Sequence, residues 1–304
     1  MKVAIEFYGH LRTFRKASDN TIKFLIEQFE NPDIFIHTWD VTDHSNVTWH
    51  NQCGEKRGYN VTQDDIAFLN EKYQPKKILV EPQIKLESDP EYTMLMTENP
   101  TPLSLITNVF YTKWKVNELR KDYQKDNNIK YDFVIQARLD LWFKTPFDIE
   151  KYIIYRAVIN TKGIINIDIS SKLFYASDRW IQNYDRDDIL YAGGSDVMYF
   201  GTPDVLDKAT SLYNNIHKYD LAKTYYSNEY LMLFNAIQHG LEPVKIRYEK
   251  DIDFGILRTD QTLQTLAFKN AQTHTSLKPK VKGLKKLHRE LRRVITQMQA
   301  MIKF

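Results

Sequence analysis

The sequence predicts an α/β domain on a mostly parallel, mixed sheet, and three observations lead there. Short apolar runs at 3–7, 34–36, 78–80 and 133–135 read as buried strands. Stretches with helical spacing lie between them, which is the order of βαβ units. Finally, 304 residues with 42% hydrophobic content suffice for one large core and are short for two.

In chain order, the strand at 3–7 leads into the polar loop Tyr8-Gly9-His10-Leu11-Arg12-Thr13. A helix follows, because Ile22, Leu25, Ile26 and Phe29 fall at the i, i+3, i+4, i+7 spacing of one buried face. Asn31-Pro32-Asp33 stops it, and the strand at 34–36 ends in His37-Thr38-Trp39-Asp40. The polar segment 41–60, rich in Asn and His, has the length of a functional lid or a mobile loop. Thr62, Asp64 and Asp65 open a short helix ahead of the strand at 78–80. Thr101-Pro102 offers an N-cap followed by proline at the first helical position, so a long helix runs from there to about Tyr123. Beyond the strand at 133–135, residues 164–169 read as another strand and 178–188 as a polar stretch. Gly193-Gly194 reads as a tight turn into a strand at 197–200. Thr202-Pro203-Asp204 repeats the cap signal, and Ser227 caps a further helix with Glu229 in its first turn and Gly240 past its end.

A single cysteine, Cys53, excludes an internal disulfide framework and suits a reducing compartment. The chain enters a strand at once and holds no run near the roughly 18 apolar residues of a membrane span, so we expect no signal peptide and a cytoplasmic protein. The 19 Tyr and 16 Phe suit a site that stacks bases and sugars, and equally a tyrosine-rich core. The net charge of +3 hides an asymmetry: residues 277–304 carry +8, which leaves −5 for the rest. A basic tail, 271–304, is therefore expected as an appendage to a domain spanning 1–270. Within it Leu284, Leu287, Leu291, Val294, Met298 and Met301 form one helical stripe, with Lys285, Lys286, Arg289, Arg292 and Arg293 off it. Such a basic amphipathic helix can lie on an anionic membrane, or form a short coiled coil in a homodimer. The acidic body, and a tail without interleaved aromatic residues, argue against nucleic acid as a partner.

The chemistry concentrates in few places. Arg138 and Asp140 fall at the C-terminal end of the 133–135 strand, where ligands bind in open α/β sheets, and strand alternation sends both to one side. A carboxylate there can hold a hard divalent ion, and an arginine can grip phosphate in bidentate fashion; a surface ion pair is the plainer reading. In the first loop, Gly9 permits close backbone approach and Arg12 can reach a phosphate or base, although an ordinary polar turn would look the same. Asn108, Tyr111 and Lys115 form a polar stripe on the long helix, facing either ligand or solvent. Gly194 suits a backbone turning beside a ligand, and Asp196 projects from the strand that follows. Glu229 sits where a helix dipole favours its ionised form, as a general base requires and as plain helix-start acids also show. Among His37, His44, His50 and Cys53, only His50 and Cys53 have zinc-ligand spacing, too little for a site.

A first-strand loop, a strand-end Asp motif, a Gly-Gly turn and an acid at a helix start, in that order, resemble the common core of GT-A fold glycosyltransferases. The family's DxD motif corresponds to Arg138-Leu139-Asp140, its glycine-rich loop to Gly193-Gly194, and its "xED" helix start to Asn228-Glu229-Tyr230. More closely, Gly9-His10-Leu11-Arg12-Thr13-Phe14, Ile34-Phe35-Ile36-His37-Thr38-Trp39 and Arg138-Leu139-Asp140-Leu141 look like a bacterial group that builds lipopolysaccharide, O-antigen and capsule glycans. The resemblance spans about residues 1–260 and implies a GT-A-like, Rossmann-like domain that transfers a sugar from a nucleotide-sugar donor to a lipid-linked or other surface glycan. It implies donor contacts from Tyr8, Gly9, Arg12, Thr13, Asn108, Tyr111, Lys115, Arg138, Asp140 and Gly194. It also implies a Mn²⁺ or Mg²⁺ ion on Asp140, and Glu229 or Asp196 as the catalytic carboxylate. Arg138 replaces the first Asp of DxD and Tyr230 replaces the last residue of xED, and His274 matches the family's late metal-binding histidine poorly. The nearest alternative, a sugar nucleotidyltransferase, should carry a glycine-rich basic N-terminal loop, whereas Gly9 stands alone. A nucleotide- or nucleic-acid-binding protein without catalysis is the third reading.

Overall fold

The computed structural model describes residues 1–44, 58–93, 100–152, 169–177, 194–219 and 228–258, all within one compact unit, Met1–Leu263. Its centre is a seven-stranded sheet in the order β10-β8-β9-β6-β1-β2-β3. The strands are β1 Val3–Tyr8, β2 Asp33–Trp39, β3 Lys77–Glu81, β6 Phe133–Arg138, β8 Lys172–Ser177, β9 Gly194–Gly201 and β10 Glu242–Glu249. Four of the six neighbouring pairs are parallel, and β9 alone runs against its neighbours. This is the mixed, mostly parallel sheet that the sequence predicts.

Every residue of β1 and β2 is buried, as expected of parallel strands covered on both faces. Alternation divides β1 between two cores. Val3, Ile5 and Phe7 join Phe14, Leu25 and Leu69 on one face, and Ala4 and Tyr8 join Ile106, Phe110 and Val116 on the other. The first face is covered by helix α1 (Phe14–Phe24) and α2 (Gln63–Tyr73), the second by α3 (Leu103–Asp126). The register sets Tyr8 opposite both His37 and Arg138, so β1, β2 and β6 end at one level and their loops emerge together.

Two short two-stranded sheets complete the described fold. One pairs β4 (Glu91–Thr93) with β5 (Pro100–Pro102); the other pairs β7 (Leu141–Phe143) with β11 (Phe254–Ile256) and returns the late chain to the end of β6. Neither β10 nor β11 was anticipated, although Val244, Ile246 and Tyr248 alternate buried with exposed neighbours as a half-buried strand should.

Several expectations shift locally. The first helix ends at Phe24 and tightens into a 3₁₀ turn, Ile26–Gln28, so the apolar stripe from Ile22 to Phe29 spans two elements. α2 carries the full capping box, with Thr62 and Asp65 bonding each other's backbone N–H. α3 starts one residue later than predicted and Thr101 does not cap it: Asp89 accepts from the Ser104 backbone N–H at 2.6 Å instead. Its sheet-facing side is polar as well as apolar, burying Lys113, Asn117 and Arg120 beside Phe110 and Val116. Thr202 and Pro203 open the helix Pro203–Thr210, and Gly240 at φ +72° follows the helix Asn228–Gln238. Most of the predicted strand at 164–169, the polar stretch 178–188, Gly193, Ser227, His50, Cys53 and the tail 271–304 lie outside the described residues.

Candidate functional site

The loops at the C-terminal ends of β1, β2 and β6 gather Arg12, Asp43, Arg138 and Asp140 into one charged cluster. β6 stops at Arg138, and a turn through Leu139, not strand alternation, folds Asp140 back beside it. Arg138 Nε donates to Asp140 Oδ1 at 2.8 Å and its Nη2 to Oδ2, a bidentate fork. Arg12 Nη1 reaches the same Oδ2 at 3.2 Å, while its Nε donates to Asp43 at 2.9 Å. Asp140 has no exposed surface and Arg138 is half-buried, so the pair is not the surface pair the sequence allowed. Burial pushes its carboxyl up, but the Arg138 and Arg12 cations outweigh that and hold it at about 2.

The first loop is shaped for this. Gly9 adopts φ +94° with nothing near where a Cβ would stand, so conformation, not space, demands glycine. Arg12 is also left-handed at φ 45°, and its backbone N–H donates to the Thr42 carbonyl at 2.7 Å. Asn31, Asn128 and Asp251 share that region as short polar residues do, and Gln74 closes α2. Arg12 has neither excuse, and a conformation costing about 1 kcal/mol is retained where the loop aims its guanidinium at Asp140.

A residue that the sequence did not single out joins the cluster. Leu257 N–H donates to the Asp140 carbonyl at 2.8 Å, and Thr13 Oγ1 donates to the Leu257 carbonyl at 2.5 Å. The staple leads directly into Arg258, on which the charges of Arg138, Arg12, Asp140 and Asp43 all act. Burial, then the cations of Arg138 and Arg12, pull its guanidinium down to about 9. No local pattern could mark Arg258, because its place depends on the pairing of β11 with β7.

On the neighbouring side, Tyr8 Oη and Lys113 Nζ both donate to the Asp196 carbonyl, at 2.6 and 2.9 Å. Lys113 lies over the Tyr8 and Tyr199 rings, 5.2 and 4.8 Å from their centroids. The Asp196 side chain is half-buried, near enough for its charge to act on Arg138 and Tyr8. Gly194 opens β9 opposite Ser177. Glu229 belongs to the helix Asn228–Gln238, and its side chain lies outside what is described.

The expected stripe on α3 divides. Asn108 spends its amide on structure, accepting from Ile84 N–H at 2.8 Å and donating to the Ile84 and Ser104 carbonyls. Tyr111 stacks on Trp39 at 5.7 Å and donates a hydrogen bond to Glu81, and Lys115 lies over Trp114 with its charge acting on Glu81. These residues form an aromatic group with Tyr213, joined to the first loop by Thr112, whose hydroxyl meets Gly9 N–H at 3.0 Å and His37 Nδ1 at 2.6 Å. Burial lowers His37 to about 4, so its neutral ring accepts from Thr112 and donates to Glu81. Burial and Arg12 likewise bring His10 to about 3, with Val41 and Gln83 on its two nitrogens.

The donor set does not fit a divalent ion on Asp140. Both of its oxygens already accept from guanidinium groups, and no grouping of three His, Cys, Asp or Glu side chains among the described residues is arranged to hold a metal. The same geometry suits an anion, because the planar guanidinium forks of Arg12 and Arg138 are held side by side with little exposure.

No model of a known protein family matches the chain, and no curated protein matches it. Among solved structures, it is similar to a glycosyltransferase involved in the glycosylation of the major capsid of PBCV-1. The identity is 7% and the TM-score 0.37, over 90% of this chain and 100% of that one.

Proposed function

We propose that the protein is a glycosyltransferase that moves a sugar from a nucleotide-sugar donor to a bacterial surface glycan of the lipopolysaccharide, O-antigen or capsule kind. One observation carries this: the first-loop Arg12, the strand-end Arg138 and Asp140, and Asp196 converge at the ends of β1 and β6, although they are scattered over more than half the chain. In the reaction an acceptor hydroxyl oxygen bonds to the anomeric carbon and the bond from that carbon to the diphosphate breaks. The electron pair leaves with the diphosphate and the hydroxyl proton goes to a carboxylate. Arg12 and Arg138 would stabilise the departing charge, and Asp196 or Glu229 would take the proton or, in a retaining enzyme, face the oxocarbenium-like centre. The half-exposed Tyr111, Trp114 and Tyr213 rings offer apolar faces to a base or sugar beside the charged cluster.

The basic tail would hold the enzyme at an anionic membrane near a lipid-linked acceptor, and no described helix is long and apolar enough to cross one. Incubating the chain with a nucleotide-sugar panel and a glycolipid extract should release nucleoside diphosphate with one donor, and Asp196→Asn or Glu229→Gln should reduce that rate at least about a hundredfold. Pyrophosphate release from a nucleoside triphosphate, without glycosyl transfer, would instead point to a nucleotidyltransferase. Deleting residues 277–304 should abolish binding to anionic liposomes and spare activity on a soluble acceptor. A change from dimer to monomer with liposome binding kept would favour the coiled coil.

A further inference from the structure

We propose that His37 is a positioning residue for the first loop: through Thr112 it holds the Gly9 backbone, and so keeps Tyr8-Gly9-His10-Leu11-Arg12-Thr13 in the conformation that carries Arg12 to its anchor, Asp140. The proposed function enters only in taking that loop to meet the donor.

Three observations support it. First, His37 interrupts an apolar strand at the level where the loop begins. It follows Ile34, Phe35 and Ile36 on β2, has no exposed surface, and stands opposite Tyr8 in the register of β1 and β2. An apolar residue would fill that place without needing hydrogen-bond partners, whereas a buried imidazole must have them on both nitrogens. Second, the hydrogen bonds run in one consistent direction. Gly9 N–H can only donate, and it meets Thr112 Oγ1 at 3.0 Å. The Thr112 hydroxyl carries one hydrogen, which goes to His37 Nδ1 at 2.6 Å, and this leaves Nε2–H for Glu81 at 2.9 Å. The opposite tautomer would leave Nε2 facing a carboxylate with no hydrogen between them. Glu81 stays ionised to receive the bond: burial raises its carboxyl, but hydrogen bonds from Tyr111 and His37, with the charge of Lys115, bring it below its usual value. Third, the loop is tied residue by residue, and Gly9 is its tie to α3. Tyr8 Oη donates to the Asp196 carbonyl at 2.6 Å, Arg12 N–H to the Thr42 carbonyl at 2.7 Å and Thr13 Oγ1 to the Leu257 carbonyl at 2.5 Å. Gly9, at φ +94°, has the widest choice of conformation in this run, so the bond at its N–H restricts the loop where it is most free.

NMR on the ¹⁵N-labelled full chain tests this. At pH 7 His37 should carry its proton on Nε2 and none on Nδ1. Thr112→Val, which keeps the shape of the side chain, should speed exchange of the Gly9 amide hydrogen by about tenfold or more, and that of the Arg12 Nε hydrogen with it, while the Phe110 and Val116 amides of α3 keep their wild-type rates. Thr112→Ser should restore both. With whichever nucleotide-sugar the wild type uses, kcat should fall at least about tenfold in Thr112→Val at unchanged KM for the acceptor, and recover in Thr112→Ser. A proton on Nδ1, a Gly9 amide that exchanges alike in wild type and Thr112→Val, an undisturbed Arg12 in that variant, or wild-type kcat in it would each overturn the proposal. The first of these needs only the wild type, and so decides even if Thr112→Val does not fold. A silent nucleotide-sugar panel with the exchange results as expected would sink the glycosyltransferase reading and keep the positioning role; an active wild type with an equally active Thr112→Val would do the reverse.

Discussion

Two buried arginine–carboxylate groups lie along the same central strands and behave in opposite ways. Beneath α3, Arg120 donates to Glu6 at 3.0 Å, to Asn117 at 2.6 Å and to Asp207, while Gln136 donates to Glu6 at 2.7 Å. At the sheet end, Arg138 and Arg12 clasp Asp140. Burial raises the Glu6 carboxyl to about 7 against the pull of its single guanidinium, which Asp207 shares; Asp140, equally buried, is held at about 2. The difference is the number of cations per carboxylate. One guanidinium divided between two acids pins α3 and the helix Pro203–Thr210 to the sheet but compensates Glu6 poorly, whereas two guanidiniums on Asp140 hold it ionised.

The largest effect should come from opening the Arg120 group. Arg120→Met leaves Glu6 buried without its cation and should cost about 3–5 kcal/mol in urea unfolding, whereas loss below about 1 kcal/mol would mean the net is slack. Asp140→Asn comes next. From the sequence alone a strand-end acid costs little to remove, but full burial between two guanidiniums predicts a loss of about 2–3 kcal/mol, together with loss of glycosyl transfer. A stable Asp140→Asn protein with near-normal turnover would contradict both the anchor role and the site assignment.

The two carboxylates should also separate by pH. Glu6 has a folded value raised above its ordinary 4.5, so the stability it contributes is full below about 4.5 and is lost as pH rises through about 7. Asp140 has a folded value lowered from 3.8, so its contribution is full above 3.8 and is lost as pH falls through about 2. Glu6→Gln should therefore gain on the wild type in urea midpoint between pH 4.5 and 7, and Asp140→Asn should lose its deficit only in acid. Parallel curves for both variants would remove the contrast. The smallest effect belongs to a control outside both groups: Thr62→Ala breaks the α2 capping box and should cost about 1 kcal/mol without changing the rate of glycosyl transfer.

Much of the first half was legible because its signals are local. The fully buried β1 and β2 read as continuous apolar runs, and the Thr62 cap and the Thr202-Pro203 start are short-range chemistry that packing did not override. The inner face of α3 was not legible, for the opposite reason. The polar Lys113, Asn117 and Arg120 share the buried face of Phe110 and Val116, and only their partners on β1, β9 and the helix Pro203–Thr210 make that burial tolerable.

By itself, the sequence determined the sheet class, the order of the early elements and the candidates Tyr8, Gly9, Arg12, Arg138, Asp140 and Asp196, since strand period and turn chemistry act over a few residues. Tertiary structure alone decided that Asp140 meets Arg138 through a turn, that Asn108 holds Ile84, and that Leu257 returns the late chain to Asp140. Those outcomes depend on contacts between residues far apart in the chain, and no local period encodes which charges will share one buried space.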